Sequence, residues 1–164
     1  MTSDQTLALE PDQERALQTL MRRYRGRGQS ALLPMLHEVQ AITGWVDEPT
    51  ARAVAHTLGI PEIEVHNVLT FYTLFYTEPV GKRVIRVCND IACVLAGNGE
   101  LIQRLAEELG VDPETGGTSA DSRFTLELHP CLGHCERAPF LMLDEEPMGP
   151  VAPDQVPDLL GGVS

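Results

Sequence analysis

The chain has 164 residues, of which 43% are hydrophobic and 22% charged, and its formal net charge at pH 7 is −12. This size and composition are typical of one ordinary globular domain, or of a small domain with a helical extension, and suggest neither a disordered chain nor a membrane protein. Residues 81–164 carry 6 basic and 14 acidic side chains (net −8), against 6 and 10 (net −4) in residues 1–80. Because this field repels phosphate backbones, we expect no nucleic-acid partner.

The sequence is expected to lack a membrane span and a targeting segment. No apolar run approaches the roughly 20 residues that a bilayer crossing needs, since the best candidate, residues 31–36, is interrupted by Pro34. The first fourteen residues contain four acidic and no basic side chains. Signal and transit peptides have the opposite charge, so we expect a cytosol-like compartment and no direct membrane insertion.

Residues 10–72 are predicted to form four helices. Breaks fall in residues 25–28 and at Gly44, Gly59 and Pro61, and between them apolar residues recur at helical spacing. The aromatic residues of segment 71–76 are assigned to core or interface packing. The residues expected to face inward are Leu17, Leu20, Met21, Tyr24, Leu32, Met35, Leu36, Val39, Ala51, Val54, Ala55, Leu58, Val65, Val68, Leu69 and Tyr72.

The pattern changes after Gly81. The predicted elements are a strand over 82–87, a helix ending at Gly110, a loop over 111–122, strands over 124–128 and 140–143, a short strand near Met148 and a helix over 153–160. This βαβββα order is that of a compact α/β domain. We therefore predict an α+β fold with an N-terminal helical bundle over residues 1–80 and an α/β domain over residues 81–164.

All four cysteines lie within 48 consecutive positions of the second domain, as the pairs Cys88 and Cys93 (C-x₄-C) and Cys131 and Cys135 (C-x₃-C). Each pair follows a predicted strand, in a loop with glycine and charged neighbours. Thiolates on loops that meet at one end of a sheet can form a four-sulfur cage for a metal centre. These residue types and spacings therefore predict a metal site.

Other roles for the four cysteines fit their positions less well, with zinc binding as the main alternative. Buried structural cysteines occur more often inside strands and helices than in such loops, and a disulfide is disfavoured in a reducing compartment. Neither pair has the C-x-x-C spacing of a thioredoxin-type redox site. Zinc remains an open alternative, because four thiolates also suit tetrahedral Zn²⁺, although the wider spacings favour a two-metal cluster. His129 and His134 could replace ligands, but we assign them to the surroundings of the site.

The cysteine pattern resembles that of the thioredoxin-like ferredoxin family, and most closely the small [2Fe–2S] subunit (NuoE type) of NADH:quinone oxidoreductase, respiratory complex I. The resemblance extends over residues 30–58, over Val68-Leu69-Thr70-Phe71-Tyr72 and Pro79-Val80-Gly81-Lys82, and over Cys131-Leu132-Gly133-His134-Cys135 with Ala138-Pro139. The chain departs from the family pattern at Ser122, where glycine is usual, and at His129-Pro130, where an apolar and an acidic residue are more typical.

The resemblance implies that Cys88, Cys93, Cys131 and Cys135 ligate one [2Fe–2S] cluster in a thioredoxin-like domain. It implies a non-catalytic redox subunit of NADH dehydrogenase, without a complete active site, next to an FMN- and NADH-binding subunit and other peripheral-arm subunits. The helical bundle would dock that partner, and the complex would hold the chain at the cytoplasmic, inner face of the membrane. The alternatives are a diaphorase subunit of an NAD-linked hydrogenase or formate dehydrogenase, and a zinc-stabilised interaction module.

Backbone N–H groups in the two cysteine loops are expected to tune such a cluster. Hydrogen bonds to the sulfurs from residues 89–92 and 132–134 would raise its reduction potential. The carboxylates of Asp90 and Glu136 would lower it, because they oppose the added negative charge.

Overall fold

The computed structural model describes residues 9–162, and within them the chain forms two compact units. The first unit ends at Pro79 and the second begins at Val80. None of the helices in the described residues has both the length and the apolar character that a bilayer crossing requires.

Four helices make up the first unit, as the spacing of apolar residues predicts. Their bounds are Pro11–Tyr24 (α1), Leu32–Thr43 (α2), Glu48–Leu58 (α3) and Glu62–Phe71 (α4), and one 3-10 turn, Gln29–Ala31, precedes α2.

The predicted breaks coincide with the ends of these helices. Gly44 and Gly59 follow α2 and α3 with φ values of +85° and +71°, in the region that glycine adopts more readily than other residues. The carboxylate of Asp47 accepts a hydrogen bond from the Thr50 N–H at 2.9 Å and so caps the start of α3. The local sequence therefore determines where these helices begin and end.

The helices of the first unit share one apolar core. The prediction that Tyr72 faces into this core is wrong. Its side chain is 44% exposed. Tyr72 directly follows α4 and has an extended backbone, so the helical spacing on which the prediction depends ends before it. Phe75 is buried in that core, while Phe71 is exposed. The buried core residues are Leu20, Tyr24, Ala31, Leu32, Met35, Leu36, Val39, Val46, Val54, Ala55, Leu58, Val65, Leu69 and Phe75.

The second unit contains a five-stranded sheet, three α-helices and two 3-10 turns, Cys135–Arg137 and Pro153–Gln155. In chain order the elements are β1 (Arg83–Cys88), α5 (Ile91–Leu95), α6 (Asn98–Leu109), β2 (Gly117–Thr118), β3 (Phe124–His129), β4 (Leu141–Leu143), β5 (Glu146–Met148) and α7 (Val156–Gly161). The sheet order is β2-β3-β1-β4-β5; β1 and β3 are parallel and the other pairs antiparallel. The predicted α+β class is confirmed.

Two elements of the second unit differ from the prediction. The predicted loop over 111–122 contains strand β2, and α5 lies within what was predicted as the cysteine loop. Both are too short to show a periodic pattern, so only contacts with distant residues reveal them. Ser122, at the position where the family usually has glycine, adopts a φ of +56°, in the left-handed region that favours glycine.

The parallel pairing of β1 with β3 positions the cysteines. Its register places Cys88 opposite His129. Because parallel strands end at the same edge of a sheet, the chain leaves both strands at one edge. The loop that carries Cys131 and Cys135 therefore begins next to Cys88. The apolar face of α6 packs with Ile85 and Leu126 in the core of this unit.

We expect replacement of Gly116 by alanine to destabilise the second unit strongly. Gly116 has φ +72°, and a Cβ there would lie 2.2 Å from the backbone oxygen of Leu126 in β3. The matched control is Gly110→Ala, whose φ is +66° but whose Cβ would meet nothing within 4 Å. In both variants the free energy of unfolding should fall by about 1–2 kcal/mol, because alanine disfavours the left-handed conformation. In Gly116→Ala it should fall by about 1–3 kcal/mol more, because the new Cβ overpacks against β3.

Native-state hydrogen exchange of the β3 amides, combined with urea titration, measures this difference. Equal destabilisation by the two variants would contradict the close approach of β2 to β3.

Candidate metal centre

Four thiols define the candidate centre. Cys88 is the last residue of β1 and Cys93 lies in α5, and both are buried, Cys93 to 1% exposure. Cys131 and Cys135 lie on the loop after β3, where both are exposed and their Sγ atoms are 3.6 Å apart. This distance is far longer than the roughly 2.05 Å of a disulfide bond, and all four described cysteines are free thiols.

The two pairs are close enough to affect each other's ionisation. Burial raises the pKa of the Cys93 thiol, and a hydrogen bond with Cys88 and the charge of Cys135 act in the same direction. The hydrogen bond with Cys131 is the main reason that the pKa of Cys135 is raised, and the charges of Cys88 and Asp90 contribute less. The structure thus places the two pairs within electrostatic reach of each other.

The raised pKa values have a consequence for binding. The pKa values of Cys93 and Cys135 are raised, chiefly by burial of the Cys93 thiol and by the hydrogen bond between Cys135 and Cys131, and the negative charges of neighbouring thiolates add to both effects. A cation that binds the four sulfurs removes this repulsion and displaces the protons. The arrangement therefore suits a positively charged metal centre.

The spacing within the exposed pair fits two ligands of one tetrahedral metal ion. Metal–thiolate bonds of about 2.3 Å at the tetrahedral angle place two sulfurs about 3.8 Å apart, close to the observed 3.6 Å between Cys131 and Cys135. Within residues 9–162, no three or more His, Cys, Asp or Glu side chains are grouped as ligands of a single metal ion. Four thiols suit a tetrahedral zinc ion as well as a cluster of two irons, so this spacing alone does not choose between them.

Hydrogen bonds to the backbone hold the buried pair in place. The Asp90 carboxylate accepts from the Ile91 N–H at 2.7 Å and caps α5. The side-chain amide of Asn98, at the start of α6, donates to the carbonyl oxygen of Cys88 at 2.6 Å, and Asn98 is only 2% exposed. The N–H of Cys88 in turn donates to the Phe140 carbonyl at 3.1 Å. These bonds fix the direction in which the chain leaves β1.

The prediction that backbone N–H groups of residues 89–92 donate hydrogen bonds to the sulfurs is partly wrong. The Asn89 N–H donates to the His129 carbonyl at 3.0 Å, and the Ile91 N–H donates to Asp90, so neither points at a thiol. A backbone hydrogen bond from Phe140 instead reaches Cys93 and lowers the pKa of that thiol, against the larger effect of burial. The donor comes from the start of β4, a part of the chain remote in sequence from Cys93.

The loop between the exposed cysteines and β4 packs on Phe140. The His134 ring lies 4.6 Å from the Phe140 ring at an angle of 31°, and its Nδ1 is 3.4 Å from the Glu136 carboxylate. The guanidinium of Arg137 lies 5.9 Å above the same ring, and its Nε donates to the Gly149 carbonyl at 3.0 Å. His134 thus has contacts of its own beside the thiols.

Sequence reasoning missed Asn98 and Phe140 as parts of the site. Asn98 lies in a glycine-flanked helix start and Phe140 in a predicted strand, so neither residue type signals a role near sulfur. One local signal was available for Asn98: a polar residue directly before an amphipathic helix often bonds a neighbouring backbone group. No local signal exists for Phe140.

We expect Asn98→Ala to weaken the second unit and the loop of the buried thiols. The substitution leaves the buried Cys88 carbonyl without its side-chain donor, and the free energy of unfolding should fall by about 1–3 kcal/mol. Asn67→Ala, at an exposed position of α4, is the matched control and should change stability little. Urea denaturation of the metal-free chain tests this; a loss no larger than that of Asn67→Ala would show that the Asn98 bond is not structural.

Comparisons with known proteins identify the family. Residues 17–164 match the thioredoxin-like [2Fe-2S] ferredoxin family. The chain is 40% identical to an NADH-quinone oxidoreductase subunit of Pseudomonas aeruginosa and 37% identical to the subunit of the same name from Escherichia coli, each over 80% of this chain and 78% of the relative.

A solved structure of an NAD+-reducing [NiFe]-hydrogenase in the H2-reduced state is similar at a TM-score of 0.72 and 21% identity, over 84% of this chain and 22% of the hydrogenase chain. At this identity the likeness shows the fold alone, and the chain spans less than a quarter of the hydrogenase chain. The family match and the two relatives go further: the protein belongs to the thioredoxin-like [2Fe–2S] ferredoxin family.

Proposed function

We propose that this protein is an electron-transfer subunit of an NADH dehydrogenase module, and that Cys88, Cys93, Cys131 and Cys135 hold its [2Fe–2S] cluster. The observation that carries the proposal is the meeting of four free thiols, as two pairs, at one edge of the sheet. The family match supports the cofactor, and the similarity to the two NADH-quinone oxidoreductase subunits supports the type of complex.

The four thiols would divide the ligation between a buried and an exposed side. A bound [2Fe–2S] cluster accepts and releases one electron at a time. Cys88 and Cys93 anchor the buried side, where the protein excludes water, and Cys131 and Cys135 lie at the surface. Electrons would therefore be exchanged most directly on the side of the exposed pair.

Two features of this chain would act in opposite directions on the reduction potential of a bound cluster. The backbone hydrogen bond from Phe140 to Cys93 withdraws negative charge from that sulfur and favours the reduced state. The carboxylates of Asp90 and Glu136 lie beside the exposed pair and disfavour it. The Glu136 carboxylate also lies 3.4 Å from Nδ1 of His134.

We infer that FMN and NADH bind to a partner subunit and that this chain contributes no complete active site. Each of the two relatives is named as a single subunit of an oxidoreductase, which describes one chain among several. In such an assembly the chain would lie peripherally at the cytoplasmic, inner face of the membrane, held there by the other peripheral-arm subunits. The same chemistry would serve a diaphorase, and the companion chains distinguish the two.

We further propose that the helical bundle of residues 1–80 docks the FMN- and NADH-binding partner. Its four helices bury their own core, so the bundle does not depend on the cysteines for folding. Outside that core, the large apolar side chains of Ile63, Phe71 and Leu74 are exposed. Exposed apolar surface of this kind is suited to a protein partner.

Anaerobic metal analysis tests the cluster directly. The purified chain should contain about two irons and two acid-labile sulfides, with an EPR signal after reduction. Cys131→Ser should shift the visible and EPR spectra, because it replaces a thiolate by an alkoxide or hydroxyl ligand. His129→Gln, a change close to the same loop, should leave both spectra as they are. One zinc per colourless chain, or an unchanged Cys131→Ser spectrum, would refute the ligand assignment.

Deletion of residues 1–79 tests the docking role of the bundle. The remaining chain starts at the boundary between the two units and keeps all four cysteines, so it should still incorporate iron and sulfide. It should fail to co-purify with the FMN- and NADH-binding subunit when the two are co-expressed. Recovery of a stoichiometric complex from the truncated chain would show that docking does not need the bundle.

A further inference from the structure

The helix next to the cysteines has an unusual surface. In α5, Cys93 points inward with 1% exposure, while Ile91, Val94 and Leu95 are 73%, 56% and 84% exposed. These three are the large hydrophobic side chains of the second unit that are exposed within its described residues. Helical spacing places them together on one outer face. We call Ile91, Val94 and Leu95 the α5 patch.

The α5 patch lies on the same short helix as Cys93, one of the four candidate ligands. A helix with its side chains is about 10–12 Å across, so a protein seated on the patch lies within about that distance of the Cys93 sulfur. Asp90, the cap of α5, follows Cys88 by two residues, and Cys88 pairs with His129, two residues before Cys131, so the start of the helix lies at the same edge of the sheet as the loop of the exposed thiols. The patch is therefore continuous with the surface through which electrons would be exchanged.

Acidic side chains lie near both ends of α5, since Asp90 caps its start and Glu100 lines a pocket together with Ala96 and Gly97, which follow its end. The segment from Cys88 to Gln103 contains Asp90 and Glu100 and no Lys or Arg, and the segment from His129 to Glu136 adds Glu136. The next cation, Arg137, donates to Gly149 and lies over the Phe140 ring. An apolar centre with an acidic border is thus the chemistry that this surface offers to a partner.

This charge pattern distinguishes between possible occupants. A second copy of the chain would bring the same acidic borders together, and an anionic lipid surface would be repelled in the same way. A protein with an apolar contact surface bordered by Lys and Arg would gain from both features.

We propose that the α5 patch is the docking surface for the subunit that exchanges electrons with this chain, and that this partner offers an apolar surface bordered by basic side chains. The inference rests on the proposed function and specifies where, and by what chemistry, the partner binds near the cysteines.

Leu95→Gln tests the apolar part of the contact, with Leu95→Met as the matched control. Leu95 is 84% exposed, so both variants should fold and bind iron as the parent chain does, which metal analysis and the visible spectrum verify. The binding probe is the purified FMN- and NADH-binding subunit of the same organism. Leu95→Gln should weaken the dissociation constant about tenfold or more and slow NADH-dependent cluster reduction, while Leu95→Met should match the parent.

Salt dependence tests the charged border. Raising the ionic strength from about 0.05 M to about 0.5 M should slow association of the parent chain, because screening shortens the reach of the charges. An association rate that does not change with salt would refute the inference that basic side chains border the partner's contact surface.

The other outcomes are also decisive. If Leu95→Gln binds and is reduced like the parent, or if Leu95→Met is impaired equally, the apolar contact at the α5 patch is overturned while the proposed function stands. If the parent chain, shown to carry its cluster by dithionite reduction, neither binds the FMN subunit nor is reduced by NADH, the proposed function fails and the docking inference fails with it.

Discussion

The parallel pairing of β1 with β3 is the constraint on which the rest of the second unit depends. Its register sets Cys88 opposite His129, and both strands end at one edge of the sheet. Two cysteine pairs that are far apart in sequence therefore meet there. An antiparallel arrangement of these two strands would send the loops to opposite edges. The crossover through α6 makes the parallel arrangement possible, because its buried apolar face covers the sheet.

The four thiols are surrounded asymmetrically, and this asymmetry links structure to the proposed electron transfer. On the buried side, the Cys88 backbone accepts a hydrogen bond from the Asn98 side chain and donates one to the Phe140 carbonyl, and a backbone hydrogen bond from Phe140 also reaches Cys93. The exposed side has solvent, two thiols and flanking carboxylates. A group placed between them is anchored by rigid secondary structure on one side and open to exchange on the other, as a carrier protein requires.

Both faces of the short helix α5 contribute to this arrangement. Its inner face delivers Cys93 to the buried side of the site, and its outer face exposes Ile91, Val94 and Leu95 to solvent. Such an exposed apolar face is not explained by the packing of the second unit, since these side chains belong to neither of its buried clusters. A binding role for this face accounts for both its apolar character and its place beside the thiols.

The sequence alone determined the four helices of the first unit, the main strands of the second, and the pairing of cysteines that points to a metal site, because each is encoded in residues close together in the chain. Tertiary structure decided that β2 forms, that Tyr72 is exposed, that Asn98 and Phe140 support the thiols, and that α5 turns an apolar face outward. These features depend on contacts between residues distant in sequence, such as Gly116 with Leu126 and Phe140 with Cys93. No local period or composition records such contacts, so they become visible only when the sheet has brought the segments together.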